Sequence, residues 1–139
     1  MPKKNRLPFS YERFKKEFPD IEKEYDQLAR KCHASGPLDE KTRRLVKLGI
    51  AIGSESDGAV KSHTRRALAI GISPEEISHA VLLGLTTIGF PKMIATLNWI
   101  HEVFEERTGK KRALNPPGSG FFLEPEPPAH RLSDRKAKR

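Results

Sequence analysis

Apolar residues recur at three- and four-residue spacing from residue 9 to about residue 107, and nowhere does the strict alternation of a half-buried strand persist. The pattern predicts an all-α chain of about six helices packed as a compact bundle. SYERFKKEF, ahead of Pro19, reads as a short first helix, and DIEKEYDQLARKCHAS as a second that stops at Ser35, Gly36 and Pro37. A third opens at Leu38 and Asp39, with Asp39 as N-cap, and carries Leu45, Leu48, Gly49 and Ile52 on one stripe. A fourth holds His63 and ends at Gly71, where a glycine can take the left-handed conformation; Val60, His63, Ala67 and Ile70 share a face expected to point inward.

Ser73, Pro74 and Glu76 then supply an N-cap, a proline in the first turn and a capping-box carboxylate for a fifth helix. From Ile77 to Ile88 this helix, ISHAVLLGLTTI, is apolar nearly all round and must be covered on several sides. Gly89, Phe90 and Pro91 break the chain before a sixth helix with Met93, Leu97, Ile100 and Phe104 on one stripe. So few helices, two of them strongly charged, leave little to cover the fifth. A homo-oligomer is the economical expectation.

The chain of 139 residues, 36% hydrophobic, suits one domain with a modest core. From Gly109 the composition changes, with five prolines, a GSG segment and a basic end, RLSDRKAKR. The expected map is a basic extension over 1–8, a helical domain over 9–108 and a proline-rich basic tail over 109–139 that forms no packed helix. Within the tail Phe121, Phe122 and Leu123 make an apolar island able to dock on the parent domain or a neighbouring subunit.

The net charge of +8 invites a nucleic-acid reading until it is divided by region. Residues 9–108 hold 15 basic and 15 acidic side chains, so the excess belongs entirely to the two ends. With a neutral domain and no groove of aromatic and basic residues, nucleic acid is an unlikely partner. The chain has no apolar run of the roughly 18 residues a membrane span needs, and its start lacks an apolar leader segment. The expectation is a cytoplasmic protein with no membrane partner.

The single cysteine, Cys32, rules out an internal disulfide framework and a C-x-x-C pair, and it reads as a bystander thiol. His79 and His101 have no carboxylate or cysteine at ligand spacing, so neither a metal nor another cofactor is expected.

The helix start LDEKTRRL, the helix-cap-helix SHTRRALAIGISPEEI and the break TIGFP, in that order over residues 38–106, resemble the carboxymuconolactone decarboxylase family, the superfamily that includes the AhpD-like alkylhydroperoxidases. The resemblance implies an AhpD-like helical bundle and a trimer or hexamer. In the peroxidases the reactive centre is C-x-x-C-x-x-x-H with a glutamate nineteen residues before the histidine. Imposed on this chain, the histidine falls on His63, the cysteines on Ser56 and Ala59, and the glutamate on Arg44. Peroxide reduction needs a thiolate and a resolving thiol, which serine and alanine cannot supply, so peroxidase activity is not expected.

The decarboxylase branch keeps the histidine without requiring the cysteine pair. It implies a cofactor-free lyase or hydrolase acting on a small carboxylated ring, with His63 as general acid or base. Arg44 and Arg66, with Ser56, are the candidate contacts to a small anionic substrate, since a guanidinium can clamp a carboxylate bidentately. The alternative is an oligomer that keeps the scaffold as a non-catalytic ligand-binding or regulatory protein. Against each functional role stands a plain one: His63 as a hydrogen-bonded core residue, and the arginines as partners of Glu40, Asp57 and Glu75.

Overall fold

The computed structural model describes residues 9–109; both basic ends and the Phe121 to Leu123 island lie outside the described residues. Seven helices follow one another: α1 (Phe9–Glu17), α2 (Pro19–Ala34), α3 (Glu40–Gly53), α4 (Asp57–Ala69), α5 (Pro74–Leu82), α6 (Leu85–Ile88) and α7 (Phe90–Thr108). The described residues contain no strand.

Local chemistry sets most of the boundaries. Asp39 caps α3 by accepting the Thr42 backbone N–H at 2.8 Å. Ser73 and Glu76 form a reciprocal capping box at the start of α5. The end of α4 is fixed by Gly71 at φ +89°, whose N–H bonds to Leu68 O while that of Ile72 reaches back to Ala67 O. That pair of bonds satisfies carbonyls the helix would otherwise leave open, and it turns Ile72 into the core.

The core is built from α3, α4, α5 and α7, with α3 against α4 and α7 against both α4 and α5. Leu48, Ala51 and Ile52 of α3 meet Val60, Ala67 and Leu68 of α4, Ile77 and Val81 of α5, and Met93, Ile100 and Val103 of α7. Fully burying a side chain such as Leu48, Ile77 or Ile100 stabilises by about 1.5–3 kcal/mol. The α1 and α2 pair has no buried residue. Tyr11 donates to Glu22 at 2.8 Å between the two helices, and Ile21, Tyr25 and Leu28 of α2 all stay more than half exposed.

One expectation is corrected: the apolar run 77–88 is two helices. After Leu83 N–H closes an ordinary turn on His79 O, Gly84 N–H bonds to Val81 O, only three residues back, and the chain restarts as the single turn α6. A Cβ at Gly84 would stand 3.1 Å from Val81 O and 3.3 Å from Ile88 Cδ1, so a larger residue here would press on both neighbours. Nor is this segment covered on all sides within one chain, since Leu82 is 51% and Leu83 64% exposed.

Candidate functional site

Helix α4 starts on Ser56, whose hydroxyl oxygen accepts the Ala59 N–H at 3.3 Å. Its buried line runs through Val60, Thr64, Ala67 and Leu68, one residue round from the face expected in the sequence. Ile70 is therefore 43% exposed, and His63 lies at the edge of the buried line rather than in it. The ring is partly buried, and its Nδ1 has no access to solvent and no hydrogen-bond partner. Burial, reinforced by the nearby charges of Arg66, Lys47 and Arg44, lowers the pKa of His63 to about 4. At neutral pH the imidazole is uncharged, free to accept a proton.

The cations beside it come from two packed helices. On α3, Arg44 Nε donates to Glu40 Oε1 at 2.7 Å, and Arg43 bridges Glu40 Oε2 and the carbonyl of His33, each at 3.0 Å. His33 Nε2 lies 2.7 Å from Glu40 Oε2; a carboxylate can only accept, so Nε2 carries the proton. The His33 hydrogen bond, then that of Arg44, pulls Glu40 down to about 2 against the opposing effect of burial. This cluster ties the end of α2 to the start of α3 and fixes the direction from which Arg44 approaches the site.

Lys47, one turn beyond Arg44, belongs to the same group and was not singled out in the sequence. It is partly buried, and burial together with Arg44 and Arg66 lowers its pKa, while Cys32 and Glu40 pull the other way. Among the described residues neither Lys47 nor Arg66 has an ion-pair partner. The i, i+3 spacing from Arg44 was the signal available for Lys47.

The remaining candidates separate. Arg65 is held by Glu106 of α7 at 2.9 Å, and Lys61 by Asp57 at 2.9 Å and Glu102 at 2.5 Å, so these cations lace α4 to α7. Ser56 is exposed, about 10 Å along the helix from His63, and its oxygen already serves as the cap. Cys32 is exposed near the end of α2. Among the described residues no group of three His, Cys, Asp or Glu could hold a metal ion, and no helix is long and apolar enough to cross a membrane.

A groove of about 600 Å³ lies between α3 and the α5–α6 segment, lined by Leu45, Val46, Ile52, His79, Leu83 and Ile88 among others. A second hollow of about 400 Å³ sits where α7 ends, beside Leu68, Ile72, Phe104 and Arg107. Neither contains His63, Arg44, Ser56 or Arg66. The groove is lined mainly by apolar residues, whereas Lys47 and Arg66, which have no ion-pair partner among the described residues, belong to the His63 group.

The sequence profile described as the carboxymuconolactone decarboxylase family matches residues 19–102. An uncharacterized protein of Methanocaldococcus jannaschii is 29% identical over 89 residues, which cover 64% of this chain and 83% of that protein. Among solved structures, the apo form of a carboxymuconolactone decarboxylase family protein from Legionella pneumophila shares the fold, with a TM-score of 0.59 and 22% identity over 71% of this chain and 88% of that one.

Proposed function

The chain belongs to the carboxymuconolactone decarboxylase family, and from that premise we propose that it takes a small carboxylated ring molecule at His63, as a cofactor-free lyase or hydrolase. The observation that carries this reading is the imidazole hemmed by three cations, of which Lys47 and Arg66 have no carboxylate partner among the described residues. Two unpaired like charges beside a partly buried ring repel one another, and a carboxylate between them relieves that repulsion. Arg44, steadied by Glu40, and Arg66 are the clamps; Lys47 adds charge. Ser56 has the weaker claim, because its oxygen is committed to the helix cap.

The same electrostatics gives His63 its role. In the empty site the imidazole is neutral. A bound carboxylate offsets the cations and raises the His63 pKa, so the ring gains a proton as substrate binds. Loss of carbon dioxide from a carbon next to the lactone leaves an electron pair at that carbon, and the imidazolium is the group that can protonate it. The peroxidase chemistry of the wider superfamily has no support in this chain, since Ser56 and Ala59 stand where the two thiols would be.

Self-association belongs to the same proposal. Val46 and Leu83 in the groove, with Ile50 and Leu82 nearby in sequence, are 46% exposed or more, apolar side chains that one chain alone leaves in water. A trimer or hexamer would cover it. The second reading, an oligomer that binds its anion without turning it over, rests on this face too, and differs only in the absence of a chemical step after binding.

The test is a thermal-shift and turnover screen of carboxylated lactones and keto acids against the parent and His63→Gln. A ligand that raises the Tm of the parent alone supports the site, and product formation separates catalysis from binding. No ligand for the parent, with loss of the oligomer in His63→Gln, would make His63 a structural residue.

A further inference from the structure

The hollow of about 400 Å³ where α7 ends is apolar at its base and cationic at its side. Leu68 and Ile72, both core residues, meet it from below, and the partly buried ring of Phe104 lines it from α7. Arg107, also lining it, donates from Nη1 to Leu68 O at 3.0 Å and has no carboxylate partner among the described residues. The chain leaves the helical domain at this same place, since Thr108 lines the hollow and Gly109, at φ +68°, ends α7.

We propose that this hollow seats the chain's own tail, with Phe121, Phe122 and Leu123 docked in it and Glu124 set against Arg107. The triplet is the one run of three large apolar side chains in residues 110–139, and each phenylalanine removes about 150–250 Å² from water when it is covered. Its flank matches the hollow in charge. Glu124 follows the triplet directly and Glu126 two residues later, so carboxylates arrive beside a guanidinium that lacks one.

Chain length selects this hollow over the larger groove. Eleven residues separate Gly109 from Phe121, a connection of about 18 Å as a flexible coil and at most about 40 Å when drawn out. Gly118 and Gly120, after the Pro116 and Pro117 pair, are residues with which a chain reverses direction, so the triplet can return to the point where α7 ends. A tether this short holds it there at an effective concentration on the order of millimolar, which lets even a weak apolar contact persist. The α3 to α6 groove runs instead to Thr87 and Ile88, beside the start of α7, whose 19 residues put about 28 Å between that end and Gly109.

The experiment compares hydrogen–deuterium exchange by mass spectrometry in the full chain and in its Phe121→Ser/Phe122→Ser variant, whose changes lie outside the packed domain. Amides of residues 69–73 and 105–109 should exchange more slowly in the parent, and that protection should be lost in the variant, while residues 42–53 and 79–88 along the groove behave alike in both. Glu124→Lys should lose part of the protection, and the part that Glu124 supplies should fade as salt is raised. Equal exchange at the hollow in parent and double variant overturns the proposal, as does a difference confined to the groove. A final arm refolds the double variant, labelled with nitrogen-15, together with excess unlabelled parent: heavy peptides that stay unprotected support docking within one chain, and heavy peptides that regain protection overturn it by showing the tail of another copy in the hollow.

Discussion

Arg44 Nε lies 2.7 Å from Glu40 Oε1, one turn earlier on α3, and the same carboxylate also meets Arg43 and His33. Glu40 thus orients the arginine that faces His63. Glu40→Gln keeps a polar group of the same shape but loses the charge-assisted bonds. The expected outcome is a weaker small-anion affinity, by about five- to tenfold, with the helical content unchanged. Titration calorimetry with the best ligand of the screen checks it, and equal affinity in parent and variant would show that Arg44 needs no such support.

His63 and Glu40 should dominate different parts of the acid unfolding curve. The folded-state pKa of His63, about 4, lies below its ordinary 6.5, so the unfolded chain binds that proton first and stability falls as the pH drops from about 6.5 to 4. Glu40, lowered from 4.5 to about 2, contributes stability that is present above 4.5 and lost as the pH falls toward 2. Tm measured across both windows should flatten in the upper one for His63→Gln and in the lower one for Glu40→Gln. A parent-like slope in both variants would mean that other groups set the acid response.

Peroxidase turnover should be absent. With an alkyl hydroperoxide and a dithiol reductant, the parent and Cys32→Ser are expected to match the background rate. Turnover by the parent that vanishes in Cys32→Ser would make the exposed thiol a working nucleophile after all.

Light scattering after size exclusion should give a multiple of the 15.7 kDa chain mass at micromolar concentration. Leu83→Glu, which puts a charge on a residue 64% exposed at the groove, should lower that mass while leaving helicity intact. A parent mass near 15.7 kDa would remove the argument for self-association.

Within the domain, Ile100→Ala should cost about 2–5 kcal/mol, because Ile100 is fully buried where α7 crosses the core. Leu97→Ala, on the partly buried flank of the same helix, should cost less. Urea unfolding of both variants decides the order.

The sequence by itself determined the helical class, the caps at Asp39 and Ser73 and the turn at Gly71. These are local properties: a side chain bonds a backbone group three residues away, or a glycine accepts a positive φ, whatever the rest of the chain does. Periodicity also found Leu48, Ile52, Val60, Ile77 and Ile100, since a helical stripe repeats along the chain. It misjudged the rotation of α4 by one residue, enough to move His63 from the interior to its edge and to bury Thr64 instead. It also read 77–88 as one helix, because apolar character does not reveal how closely Gly84 must pass Val81 and Ile88. Only tertiary structure could decide that Arg65 is spent on Glu106 while Lys47 and Arg66 remain beside the imidazole, because a charge becomes free or paired by what a different helix brings to it.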